Sequence, residues 1–139
     1  MPSSMVFISA GLIVALLQAP LAIRSVDKGD QSNIDEDRPV VVRAQAEWAG
    51  LWRQHSPDRP QPAIDFRREM VVGVFLGSRP TSGFAVDVVD VTPAAGGHVA
   101  HYRVTQPAAR AVTAQVLVFP YHLVAVPVHP GPLTFQRIE

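Results

Sequence analysis

Residues 62–91 read PAIDFRREMVVGVFLGSRPTSGFAVDVVDV, and this stretch decides the fold. From Met70 to Leu76 nearly every side chain is apolar, as in a strand buried on both faces. From Phe84 to Val88 the apolar residues alternate with Ala85 and Asp87, as in a strand with one wet face. The polar SRPTSG between them is short enough to predict a hairpin. Beyond Val88 the parity slips, because Val89 and Val91 now flank an outward Asp90, which predicts a bulge or strand end at Val88 to Val89.

Working outward, residues 44–55, AQAEWAGLWRQH, are the one convincing helix after the N-terminal segment. Ala44, Trp48, Leu51, Trp52 and His55 fall on one stripe, so both indoles are expected in a core against a sheet rather than on a ligand platform. SPDRPQPA, residues 56–63, ends that helix. Before it, residues 21–26 and 40–42 predict two short strands paired as an N-terminal hairpin, joined by the polar KGDQSNIDEDRP. After it, TPAAGG turns into a strand at 98–104, QPAARAVTA is an aperiodic loop, and strands are expected at 116–119, 123–128 and 133–138, with prolines at the breaks. The pattern predicts a mainly β (α+β) domain: an antiparallel β-sandwich or half-barrel with one amphipathic helix packed on it.

The chain has 139 residues, no cysteine, and 12 basic against 12 acidic side chains. One domain is the prior, and no disulfide framework, thiolate metal site or cysteine nucleophile is open to it. The even, unclustered charge lacks the footprint of a nucleic-acid binder. Met5 to Leu17, MVFISAGLIVALL, is a charge-free run of 13 residues, the length of a signal-peptide core and short of a membrane span. Residues 1–20 are therefore read as a signal peptide, with an uncleaved N-terminal anchor or a misplaced start before a buried helix as the alternatives. Export to the periplasm or the extracellular space is expected, with membrane contact only through an uncleaved leader.

Five histidines are the obvious chemical candidates: His55, His98, His101, His122 and His129. His98 and His101 lie three apart in a predicted strand and so point to opposite faces, which defeats chelation by the pair. Ser78 or Ser82 would need a base, and no Gly-x-Ser-x-Gly elbow exists. Gly96-Gly97 opens a strand, not a helix, and is read as a turn rather than a phosphate loop. Asp35, Glu36 and Asp37 lack the spacing of a calcium loop, and the mixed charges Asp65, Arg67, Arg68 and Glu69 suit a solvated rim. No catalytic residue, metal or cofactor is expected. The loop Arg79, Pro80, Thr81, Ser82, Gly83 and Phe84 is the candidate partner-binding site, because Pro80 stiffens it, Gly83 permits a reversal, and a guanidinium, a hydroxyl and an aromatic ring are brought together.

With these segments in view, the chain resembles the C-terminal domain of the PrcB-like family, named for an accessory subunit of a surface protease complex. The likeness is carried by KGDQS near Lys28 to Ser32, EWAGLWRQH from Glu47 to His55, DFRREMVVGVFLGSRPTSGF from Asp65 to Phe84, and FPYHLVAVPV from Phe119 to Val128. It implies that residues 21–139 are one PrcB-like C-terminal β domain, non-enzymatic and protein-binding, with a protease among its candidate partners. RPTSGF is also similar to the Asn-Pro-Thr-Thr-Gly-Phe loop of chagasin-type protease inhibitors, at Pro80, Thr81, Gly83 and Phe84. Such inhibitors present three loops to a protease cleft; for the other two, Gly96-Gly97 follows too soon and FPYH has no Arg-Pro-aromatic sequence, so the likeness rests on one loop. A protease inhibitor, or a small hydrolase using His122 or His101, is the alternative function.

Overall fold

The computed structural model describes residues 19–139. The leader, residues 1–18 of the expected signal segment, lies outside the described residues. Among those described, no helix is long and apolar enough to cross a membrane.

Two sheets and one helix form three layers. The first sheet has the order β1-β6-β3-β2, built from β1 (Arg24–Gly29), β2 (Asp37–Val42), β3 (Glu69–Leu76) and β6 (Tyr121–Pro127). The second has the order β4-β5-β7, built from β4 (Ala85–Ala94), β5 (Gly97–Thr105) and β7 (Leu133–Ile138). Helix α1 (Gln45–His55) packs on the outer face of the first sheet. The domain is a β-sandwich with one helix, and no barrel closes.

The two-sided burial of β3 follows from its sequence. Val71 and Phe75 meet Trp48, Leu51 and Trp52 of α1, while Met70, Val72, Val74 and Leu76 meet Val86, Val88 and Val91 of the second sheet. Strand β6 repeats the division, with Tyr121, Leu123 and Ala125 toward the helix and Val124 and Val126 toward the second sheet. Gly73 lies where the neighbouring strand β6 comes close: an added Cβ would stand 2.9 Å from His122 O and closer still to Leu123. Both indoles are core residues, Trp48 and Trp52 being buried, with Nε1 donating to Pro62 O and Arg59 O, each at 2.9 Å.

Several expectations are corrected. SRPTSG does not join a hairpin: β3 pairs with β2 and β6, whereas β4 pairs with β5 in the other sheet. Both edges of β3 are taken, by β2 and β6, so the chain leaves for the opposite layer. The N-terminal hairpin is likewise absent, since β1 pairs β6 and β2 pairs β3 at opposite edges of one sheet. Residues 116–117 are not in a strand, and only a single bridge joins Val118 to Arg79. The pairing is antiparallel except for β5 with β7, which is parallel. The expected bulge is present, with the β4–β5 register shifting between Val88 and Asp90 and Val89 left facing outward.

Candidate functional site

The expected partner loop is a crossover between layers, and local geometry explains its shape. Gly77 takes φ 69° because β2 passes so closely that a Cβ would lie 3.1 Å from Asp37 N. Gly83 takes φ 96°, with Pro107 at 3.0 Å from the place of its missing Cβ. Between them the loop is fastened to the segment before β6. Arg79 and Val118 exchange backbone hydrogen bonds of 2.8 and 3.0 Å, Ser82 N donates to Ala114 O at 3.1 Å, and Ala114 N donates to Ser82 Oγ at 2.9 Å.

This fastening uses part of the loop's chemistry. The Arg79 guanidinium donates to Ser78 O at 3.0 Å and lies 3.6 Å from Asp37. Thr81 Oγ1 donates to Ser82 O at 3.1 Å. Arg79, Thr81, Ser82 and Phe84 are half-buried, and Pro80 and Gly83 are exposed. Beside the loop, the uncharged segment 111–118 exposes Val116 and Leu117 at 50% and 60%, and Val112 wholly. The outward surface is therefore a rigid polar turn bordered by apolar side chains.

A second cluster was not singled out from the sequence. Ile34 N–H donates to Ser32 Oγ at 3.0 Å, which leaves the Ser32 hydroxyl proton for His55 Nδ1 at 2.7 Å. His55 then carries its own proton on Nε2 and donates it to Asp27 Oδ2 at 2.9 Å. Arg59 grips the same carboxylate with bonds of 3.1 and 2.6 Å and donates to Tyr121 Oη at 3.1 Å. Burial alone would raise the Asp27 pKa, but the bonds from Arg59 and His55 hold it below the ordinary 3.8. Burial lowers the pKa of His55, against the pull of Asp27, and raises that of Tyr121.

Serine, imidazole and carboxylate stand here in the order of a nucleophilic relay. Access is missing: Ser32 is 4% exposed and His55 0%. Trp52, Phe75 and Tyr121 pack around the imidazole with ring centroids 5.1, 5.5 and 4.3 Å away. The cluster ties α1 to β1 and β6 through the core. Its members, 27, 32, 55, 59 and 121, are far apart in the chain, so spacing could not reveal it. The usable signal was that three segments carrying the family likeness each hold one buried polar side chain of the cluster.

The remaining histidines are held by neighbouring strands or by one another. His122 Nδ1 accepts Val88 N–H at 2.9 Å, at the bulge, and Nε2 lies 3.0 Å from Ser25 Oγ. His101 Nδ1 is 2.5 Å from Asp90 Oδ1, on the opposite face of β5 from His98. His98 is buried against the His129 ring, 3.9 Å between centroids. No imidazole bonds to Ser78 or Ser82 among the described residues. Gly96-Gly97 forms the β4–β5 turn at the far end of a ten-residue strand from Phe84, roughly 30 Å away. Gly96-Gly97 and the loop therefore do not share one edge, as the three loops of a chagasin-type inhibitor would.

Residues 70–127 match a family model described as PrcB C-terminal. No curated protein and no solved structure matches the chain. The matched span runs from β3 through β6, and so includes the loop at 79–84 and the apolar segment fastened to it. At family level the match suggests an accessory domain of protease complexes. Over residues 70–127 the chain is similar to the PrcB C-terminal family, the one that its sequence motifs resemble.

Proposed function

We propose that the protein is an exported, non-enzymatic accessory domain that binds a protein partner, a protease by family analogy, through residues 79–84. The observation that carries this reading is the loop itself: fastened along one side to residues 114–118, open on the other, and bordered by exposed Val116 and Leu117. A loop already held by backbone bonds loses little conformational entropy on binding, and half-buried Phe84 and Arg79 are the residue types that anchor interfaces. The fold supports the same reading by presenting the loop at the junction of the two sheets.

The test uses the chain as bait on the exported fraction, comparing Arg79→Ala with Thr81→Ala, and Leu117→Asp, against the control Arg103→Ala. Capture of a defined partner should fall in the loop and segment variants by the equivalent of about 2 kcal/mol and survive in the control, at similar thermal midpoints. Capture unchanged in all three would move the interface away from this loop.

A further inference from the structure

We propose that the groove between the free edge of β2 and helix α1 takes up an extended segment of a partner protein by strand addition. The segment would carry an acidic group at the Arg38 end and a basic group at the Glu47 end. This rests on the reading of the chain as a protein-binding domain, but not on the loop at 79–84 being the contact.

Strand β2 is an edge, paired on one side only. Leu76 N donates to Pro120 O, so the backbone of Leu76 points toward β6 and that of Phe75 toward β2. Since Arg38 lies opposite Phe75 and Val40 opposite Gly73, their backbone groups face inward, and those of Pro39 and Val41 face the open side. Pro39 has no N–H to offer, so the free edge presents the carbonyls of Pro39 and Val41 and the N–H of Val41. That is enough for a short ladder with an added strand.

The opposite wall is one face of α1. Glu47, Gly50, Leu51 and Gln54 recur at helical spacing and, with residues 38–42, line a groove of about 480 Å³. Two features of this groove are not accounted for inside the domain. Arg38 Nε is a buried donor without a partner among the described residues, although Nη2 of the same guanidinium donates to Gln54 at 3.0 Å and Nη1 lies 3.8 Å from the exposed Glu36 carboxylate. Such an orphan is costly until an acceptor arrives. Gly50 sits inside the helix, where glycine is unfavourable, yet an added Cβ would meet nothing nearer than the Arg53 side chain at 4.0 Å. Packing does not demand the glycine. A neighbouring backbone or side chain laid against the helix at that point would.

Charge sets the occupant's direction. Arg38 and Gln54 close one end of the groove, and Glu47, in the first turn of α1, closes the other. A carboxylate or carbonyl is called for at the first and a cation at the second. The Arg38 end also adjoins the loop, since the Asp37 carboxylate lies 3.6 Å from the Arg79 guanidinium.

A displayed library of random seven-residue peptides, selected on the immobilised full-length chain, provides the probe. Enriched peptides should carry an acid toward one end and a base toward the other, and should shift the Val41 amide and Arg38 Nε resonances in nitrogen-edited NMR spectra. Gly50→Gln should weaken their binding by about tenfold or more, and Gly50→Ala, which fits without strain, should raise the thermal midpoint while also weakening binding. Arg79→Ala with Thr81→Ala should leave peptide binding unchanged, so failure of the loop reading would register separately. The proposal is overturned if no peptide is enriched, if the resonances that move lie on the loop or on residues 111–118, or if binding is indifferent to both Gly50 substitutions.

Discussion

His55 has both ring nitrogens committed and no exposed surface, so burial disfavours a second proton on the ring. Burial is the first cause of a lowered pKa at His55, His98 and His122 alike, reinforced by Lys28 at His122 and by His129 at His98. Each group binds its proton more weakly folded than unfolded, where its pKa is near 6.5. Stability is therefore complete above about pH 6.5 and declines as pH falls below it, because the unfolded chain takes up protons that the fold refuses. Each histidine adds at most about 1.4 kcal/mol per pH unit to this slope. Thermal midpoints measured from pH 7.5 to 4.5 should fall steadily. His122→Asn, which keeps an acceptor for Val88 N–H, should flatten part of the decline. Asp27 acts lower on the scale: with its pKa below 3.8, its contribution persists above that value and is lost as pH drops further. None of this was legible from spacing, since histidine types announce themselves but their burial depends on strands brought together from distant parts of the chain.

At the scale of elements, periodicity was a reliable guide where one face decides an element. The helical stripe of Trp48, Leu51, Trp52 and His55 is the buried face of α1, and the parity slip after Val88 is a bulge. Pairing was not legible in the same way. Hairpin reasoning assumes that neighbours in sequence pair, but β3 is apolar on both faces and has both edges filled by β2 and β6, so the next strand starts the other sheet. The two-sided pattern in 70–76 signalled that both faces of β3 are covered, by α1 and by the second sheet, but not which strands fill its edges. Trp52 tests the packing that results, because its ring lies 5.6 Å from Trp48 and 5.1 Å from His55 and its Nε1 caps the Arg59 carbonyl. Trp52→Ala should cost roughly 3–5 kcal/mol in chemical denaturation. An unchanged midpoint would mean that the indole is not a core residue.

For the whole molecule, the layers divide the labour between stability and presentation. The core faces of β3 and β6 and the cluster around His55 hold α1 and both sheets together, which leaves the crossover loop at 79–84 and the β2–α1 groove as the surfaces with unused groups. The loop was legible as a candidate because Pro, Gly and an aromatic mark it in sequence. The groove was not, because it joins a strand edge to a helix face and depends on which edge stays unpaired. On the proposed reading both surfaces act where a partner meets them, and the 13-residue apolar run at 5–17 ahead of a polar segment is the ground for proposing that this is outside the cytoplasm. Export with cleavage predicts that N-terminal sequencing of the native protein begins between Pro20 and Ser25. Leu21 makes this region structurally informative, since its N–H donates to Val91 O at 2.8 Å and fastens the start of the domain to β4. Cleavage after Ala22 would remove that bond and cleavage before Leu21 would keep it, so the mature terminus decides whether β4 has this extra tether. Intact Met1 on protein recovered from the soluble cytoplasmic fraction would overturn export and, with it, a partner outside the cell membrane.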